Sequence, residues 1–150
     1  MRQLIQAGLI AAAVLALPSA ALAQNASPAG AWKNIDDKTG KPKALIRISE
    51  ENGVLTGKIE KLYRPADQDQ NPKCVKCSDA RKDQPIIGMT ILSGLKKDGD
   101  EYTGGDILDP QEGKTYRSKA KLIDNGSKLE VRGYVGAPMF GRTQTWQREQ

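Results

Sequence analysis

The chain has 150 residues and carries 23 Lys and Arg against 18 Asp and Glu, for a formal net charge of +5. It contains no histidine, which excludes Ser-His-Asp triads, Cys-His pairs and His-ligated metal sites. The length allows one domain, and a modest positive charge by itself indicates neither nucleic-acid nor membrane binding. We therefore expect a protein that is not an enzyme and holds no cofactor or metal.

The first residues have the layout of a secretory signal peptide. A positive start at Arg2 precedes an apolar run over residues 4–17, and small residues follow up to Ala23. The run is shorter than the roughly 20 apolar residues that a membrane-spanning helix needs. We expect residues 1–23 to be cleaved and residues 24–150 to form a single domain of an exported protein.

Beyond the signal segment, the sequence has the spacing of an all-β domain. Short apolar runs are separated by Gly, Asn, Asp and Pro about every ten residues, and no long window repeats apolar residues at helical spacing. The predicted strands are, in chain order, residues 30–35, 44–49, 54–62, 86–95, 101–108, 114–123, 128–133 and 142–148.

Two of these elements carry the clearest local signals. Asn52-Gly53 predicts a tight hairpin turn between the second and third strands, because both residue types accept positive φ angles. In the sixth strand, small and apolar residues alternate with Arg117, Lys119 and Lys121, a pattern typical of a half-buried antiparallel strand. No aromatic residues interleave with this basic face, so we interpret it as solvated surface and expect no nucleic-acid partner.

Eight short strands joined mostly by tight turns predict an antiparallel up-and-down meander. Closing the meander removes its exposed edges, so we expect an eight-stranded β-barrel, whose interior holds packed side chains or one small ligand. One connection, over residues 63–85, is too long for a tight turn. An insert of this length in a compact domain is usually functional or disordered.

The insert contains the motif Cys74-Val75-Lys76-Cys77, which has three interpretations. Export to an oxidising compartment favours a structural disulfide that clips the insert. A redox-active pair is the second, because neighbouring lysines favour a thiolate in C-x-x-C, although the βαβ context of thioredoxin-like proteins is absent. A zinc site is the third, but two cysteines supply only half of a tetrahedral ligand set.

The last predicted strand places polar and aromatic side chains on one face. Alternation brings Arg142, Gln144, Trp146 and Arg148 together, and such a face suits a pocket that recognises one polar group. Trp146, Arg142, Gln144 and, from the sixth strand, Tyr116 are therefore candidate contacts for a small, largely apolar ligand. The alternative is that both tryptophans of the chain only fill the core.

Gly30-Ala31-Trp32 in the first strand, followed by antiparallel strands and a late arginine, resembles the calycin pattern of lipocalins. In that pattern the tryptophan closes one end of the barrel, and the arginine packs across it. Arg142 and Arg148 are both candidates for this arginine. The resemblance implies that Trp32 closes the barrel, and we assign the packing role to Arg148.

The chain as a whole resembles the family catalogued as domain of unknown function 2147, small exported proteins of Gram-negative bacteria. The matching segments follow one another over residues 28–148, and they are Gly30-x-Trp32, Asp37-Lys38-Thr39-Gly40-Lys41-Pro42, Asn52-Gly53-x-Leu55-x-Gly57-Lys58-Ile59, Cys74-x-x-Cys77, Lys82-Asp83-Gln84-Pro85-Ile86-Ile87-Gly88, Gly105-Asp106-Ile107-Leu108-Asp109-Pro110, Val131-Arg132-Gly133-Tyr134 and Phe140-Gly141-Arg142-Thr143-Gln144-Thr145-Trp146. The resemblance implies a lipocalin-like β-barrel in the periplasm and, by analogy with that fold, small-molecule binding.

Three hypotheses for the function follow from the sequence. The first is a barrel that binds a small apolar molecule. The second is a thiol–disulfide redox role through Cys74 and Cys77. The third is a cell-envelope interaction module that docks a protein partner through residues 63–85.

Overall fold

Eight antiparallel strands form a closed barrel in the computed structural model, which describes residues 27–150. Each strand pairs with the next in the chain, and the last pairs with the first. The strands are β1 Gly30–Ile35, β2 Pro42–Glu51, β3 Val54–Leu62, β4 Thr90–Asp98, β5 Glu101–Asp109, β6 Lys114–Ile123, β7 Lys128–Tyr134 and β8 Gly141–Arg148. The predicted all-β, up-and-down, eight-stranded barrel is confirmed.

The strand boundaries agree with the sequence prediction for β1, β3 and β6 and differ most at β4. This strand covers Thr90–Asp98 instead of residues 86–95. The apolar run at its predicted start forms a turn, because the Met89 N–H donates to the Ile86 carbonyl at 3.1 Å. At its other end, the ladder with β5 continues to the pair of Asp98 and Glu101, since hairpin strands keep pairing until the turn begins.

The barrel has two different ends. At the closed end, chain reversals join β2 to β3, β4 to β5 and β6 to β7, the last through a short 3-10 turn at Asp124–Gly126. At the open end lie the β1–β2 turn, the β3–β4 insert, the β5–β6 turn and the β7–β8 loop. Inward side chains form the core, and the largest fully buried ones include Trp32, Ile46, Ile48, Leu55, Leu92, Leu95, Leu129 and Trp146.

The insert between β3 and β4, residues 63–89, is ordered by its own hydrogen bonds. A disulfide joins Cys74 to Cys77 across a Cα–Cα distance of 5.4 Å, so the predicted disulfide is confirmed. The Cys74 N–H donates to the Gln84 carbonyl, and the Asp83 N–H donates back to the Cys74 carbonyl, both at 2.8 Å. Both cysteines belong to the buried core, so the insert packs as part of the domain.

Other sequence predictions concern features beyond the barrel. The signal peptide predicted for residues 1–23 lies outside the described residues and stays a prediction. Among residues 27–150, no helix is long and apolar enough to cross a membrane. The same part of the chain contains no group of three or more His, Cys, Asp or Glu side chains placed to hold a metal ion.

Candidate functional site

Arg148 and Trp32 seal the closed end. The guanidinium carbon of Arg148 lies 4.3 Å from the centroid of the Trp32 ring. The same guanidinium donates to the carbonyls of Ser27, Ala29 and Gly126 at 2.8, 3.0 and 2.7 Å. Burial lowers the pKa of Arg148 from its usual value. Of the two candidate arginines, Arg148 therefore packs across the tryptophan, as the calycin pattern implies.

A cavity of about 1320 Å³ occupies the open half of the barrel. Its buried lining is apolar and consists mainly of Ala44, Ile46, Ile59, Ile86, Ile91, Leu108 and Val131. This volume exceeds the roughly 300–1,000 Å³ that is usual for small-molecule pockets, because the lining also includes exposed residues at the mouth. The interior is therefore filled by side chains toward the closed end and hollow toward the open end.

All four ligand contacts predicted from the sequence line this cavity. On β8, Trp146 lies fully buried in its inner part, Gln144 is half-buried above it, and Arg142 is exposed at the mouth. Tyr116 is half-buried on β6, and β7 separates it from β8. The alternation that groups the β8 residues in sequence therefore arranges them from the interior to the mouth.

A small polar cluster interrupts the apolar lining. The side-chain oxygen of Gln144 accepts hydrogen bonds from Trp146 Nε1 at 3.3 Å and from Asn34 Nδ2 at 3.4 Å. The other polar atom of the asparagine, Asn34 Oδ1, is buried and receives no hydrogen bond from residues 27–150. An unpaired buried acceptor costs free energy, and Asn34 itself belongs to the cavity lining.

The sequence prediction did not include Asn34 among the cavity residues, although strand alternation could have identified it. Asn34 follows Trp32 by two residues on β1, so strand alternation places both side chains on the inward face. It missed Tyr134, Val135 and Phe140 of the lining as well. Tyr134 ends β7, and the other two belong to the loop that follows it.

Two polar contacts organise the mouth. The Tyr116 hydroxyl donates to Glu112 Oε2 at 3.2 Å. Burial, with this hydrogen bond as a further cause, raises the pKa of Tyr116 above its usual value, so the hydroxyl keeps its proton at neutral pH. Arg142 Nη1 lies 3.7 Å from Asp37 Oδ2, which joins the start of β8 to the β1–β2 turn.

The disulfide stands apart from the cavity. Neither Cys74 nor Cys77 lines it, and their exposed fractions are 0% and 3%. Cys74 Sγ lies 3.5 Å from the Pro110 carbonyl oxygen, beside the β5–β6 turn. The two sulfurs are therefore enclosed between the insert and that turn.

Comparisons with known proteins agree with this architecture. The family model described as "Uncharacterized protein conserved in bacteria (DUF2147)" matches residues 30–148. No curated protein matches the chain significantly. A solved structure described as "Protein HP1028 from the human pathogen Helicobacter pylori belongs to the lipocalin family" is similar, with a TM-score of 0.69 and 22% identity over 83% of this chain and 84% of that chain. The chain therefore belongs to the DUF2147 family of uncharacterised bacterial proteins and has a lipocalin-like fold.

Proposed function

We propose that the protein binds a small, largely apolar molecule in the cavity at the open end of the barrel and catalyses no reaction. The cavity carries this proposal. A concave apolar lining with a few convergent polar groups is the usual form of a small-molecule site. The likeness to a structure described as lipocalin adds support by analogy of fold.

The polar cluster indicates that one end of the ligand carries a hydrogen-bond donor. Asn34 Oδ1 lacks a donor among the described residues, while the Gln144 oxygen already accepts two hydrogen bonds. A ligand that brings one hydroxyl or N–H group to Asn34 would satisfy the buried acceptor. Its apolar body would lie against the buried isoleucine and leucine side chains of the lining.

The two tryptophans make a matched pair of reporters for this site. They are the only ones in the chain. The variant Trp32→Phe keeps a tryptophan in the cavity, and Trp146→Phe keeps one at the closed end. The probe is 2-bromodecanol, called bromodecanol below, whose apolar chain carries one hydroxyl donor and, on the adjacent carbon, a bromine that quenches tryptophan on contact.

Saturable quenching of fluorescence is expected for Trp32→Phe and none for Trp146→Phe. Native mass spectrometry of protein purified from its host should in addition detect a bound small molecule. Absence of quenching in both variants, together with ligand-free protein from the host, would refute the proposal. Quenching confined to Trp146→Phe would place the site at the other end and refute it equally.

The role of Asn34 can be tested by removing each half of its hydrogen bond. Bromodecane, which lacks the hydroxyl, should bind the Trp32→Phe protein about fivefold more weakly than bromodecanol. In a protein that also carries Asn34→Leu, the two probes should bind equally well. An unchanged preference for bromodecanol in that variant would exclude Asn34 as the acceptor.

Two alternative functions depend on the insert. A redox role has the disulfide in its favour, but exchange requires a thiolate to reach a sulfur, and both sulfurs are buried. A reduction potential below about −300 mV would identify a structural bond. A protein-docking role is supported by Val75, which is exposed in the insert, and unchanged pull-down partners after deletion of residues 63–85 would contradict it.

The site of action is part of the proposal. The signal-like segment over residues 1–23 supports export to the periplasm. Fractionation of the host cells should recover the protein in the periplasm, with a mature N-terminus at Gln24. Recovery of the uncleaved chain in the cytoplasm would contradict the proposed location.

A further inference from the structure

The β7–β8 loop, residues 135–140, exposes three large apolar side chains. The exposed fractions are 66% for Val135, 76% for Met139 and 68% for Phe140. Single exposed apolar residues are common on protein surfaces, but a contiguous group usually marks an interaction site. Three of the six loop residues form such a group here.

Hydrogen bonds to its backbone order the loop that carries these exposed side chains. The Val135 N–H donates to the Phe140 carbonyl at 3.1 Å, and the Phe140 N–H donates to the Ala137 carbonyl at 2.9 Å. From β7, Arg132 Nε donates to the Pro138 carbonyl at 2.6 Å. The apolar tip of the loop, formed by Val135, Met139 and Phe140, therefore has an ordered backbone in the folded protein.

The loop stands at the mouth of the cavity. Val135 and Phe140 belong to the lining, and the loop joins the two strands at the open end. A molecule that enters or leaves the cavity therefore passes beside this apolar tip.

Cationic side chains surround the same opening. They outnumber carboxylates five to three along the lining, with Lys41, Lys43, Lys61, Arg64 and Arg142 against Asp36, Asp109 and Glu112. Hydrogen bonds from backbone N–H groups of the adjoining turns already occupy Asp36 and Asp109. Lys38 is exposed on the β1–β2 turn, and the neighbouring carboxylate of Asp37 is paired with Arg142.

We propose that the open end docks on an anionic lipid bilayer. Val135, Met139 and Phe140 enter the headgroup region, while Lys38 and Lys41 contact lipid phosphates. Apolar side chains beside basic residues are the combination that binds bilayer surfaces, by burial of apolar area and by attraction to anionic lipids. A second copy of the chain is a weaker occupant, because the two cationic openings would repel each other.

Docking in this orientation would present the cavity mouth to the lipid. An apolar ligand could then move between bilayer and barrel without crossing water. The proposal goes beyond binding in the cavity, and the docking surface does not require a loaded barrel.

Vesicle co-sedimentation tests the apolar half of the surface. The mature wild-type chain should bind vesicles of equal parts phosphatidylglycerol and phosphatidylcholine. The double variant Met139→Ser/Phe140→Ser should bind them about tenfold more weakly, with an unchanged thermal midpoint because both side chains are exposed. Val75→Ser is the matched control, since Val75 is 63% exposed but, unlike Phe140, does not line the cavity mouth, and this variant should bind like wild type.

Charge variants test the other half. Lys38→Gln/Lys41→Gln and high salt should each weaken binding to the anionic vesicles. Lys97→Gln, at the closed end, should not. Pure phosphatidylcholine vesicles should retain far less protein.

Several results would overturn the proposal. The first two are vesicle binding by the loop variant that equals that of wild type, and a loss of vesicle binding in Val75→Ser as large as in the loop variant. The others are equal affinity for anionic and pure phosphatidylcholine vesicles, and dimerisation through Phe140 without vesicle binding. Quenching by bromodecanol in the absence of vesicles measures ligand binding in the cavity independently of docking. Failure of docking can therefore be distinguished from failure of ligand binding.

Discussion

Arg148 closes the barrel in a way that only an arginine can. A planar guanidinium stacks on an aromatic ring through its face and still donates hydrogen bonds in its plane. Here the face covers Trp32, and the in-plane N–H groups reach carbonyls of Ser27, Ala29 and Gly126. One side chain thus joins the segment before β1, the β6–β7 turn and β8.

Removal of this guanidinium should destabilise the fold. We expect Arg148→Ala to lower the free energy of unfolding by about 2 kcal/mol, because three partly buried or exposed carbonyls lose a charged donor and water replaces only some of the lost hydrogen bonds. Arg142→Ala, at the exposed mouth, should cost less than about 0.5 kcal/mol. Urea denaturation measures both, and equal costs would show that Arg148 has no special role.

Residue roles differ in how far the sequence reveals them. Trp32 and Arg148 follow from a family pattern, and the inward face of β8 follows from alternation. The importance of Asn34 depends on Gln144, which lies 110 residues away in the chain. Periodicity assigns a residue to a face but does not identify its neighbour across the seam between β1 and β8.

At the scale of elements, the β5–β6 turn and the insert meet at Gly113. A Cβ atom on this glycine would overlap the backbone carbonyl of Lys76 in the insert. Gly113 has φ +69°, and Gly99 in the β4–β5 turn has a similar φ of +63° with open space around it. The two positions share backbone strain but differ in steric room.

This pair separates the cost of conformation from the cost of packing. Gly99→Ala should lower the free energy of unfolding by about 1 kcal/mol, the penalty for a side chain in the left-handed region. Gly113→Ala should lower it by about 1–3 kcal/mol more, because the insert must move away from the turn. Chemical denaturation measures both variants, and an equal cost would mean that the insert is not held tightly at this turn.

A salt bridge within the insert should make its attachment sensitive to acid. Arg81 donates to the Thr90 carbonyl at the start of β4 and to Asp79. Hydrogen bonds from Arg81 lower the pKa of Asp79 from 3.8 to about 2. Because the pKa is depressed in the folded chain, the stabilisation is complete above about pH 4 and is lost as the pH falls toward 2.

The variant Asp79→Asn should therefore unfold with a shallower dependence on pH in this acid range than wild type. Urea midpoints across the range measure the difference. Asp67→Asn, in the same insert, is the control and should follow wild type. Parallel pH profiles for wild type and Asp79→Asn would contradict the assignment.

Around the whole barrel, the shortest strand pairing is the one between β1 and β8. These strands pair only at Trp32 with Arg148 and at Lys33 with Gln147. Toward the open end, the side-chain hydrogen bond between Asn34 and Gln144 spans the seam. By contrast, β7 and β8 pair along their whole length.

Native-state hydrogen exchange should locate the first opening of the barrel at this seam. Backbone hydrogen bonds that are few and lie at an element's end open at low free-energy cost. Amides of Asn34 and Ile35, and amides in the first half of β8 that point toward β1, should exchange faster than those of β7, which pairs on both sides without a register shift. Uniform protection around the barrel would show that the seam is no weaker than the other walls.

Local chemistry is enough to predict the eight strands, their order and the barrel, because alternation and turn residues act over a few positions. It is also enough to predict the disulfide and the inward face of β8. The closed structure alone decides which half of the interior is hollow, since that depends on side-chain volumes contributed by all eight strands. It alone brings Asn34 to Gln144 and an apolar loop to the cavity mouth, because these contacts join residues that the chain keeps far apart.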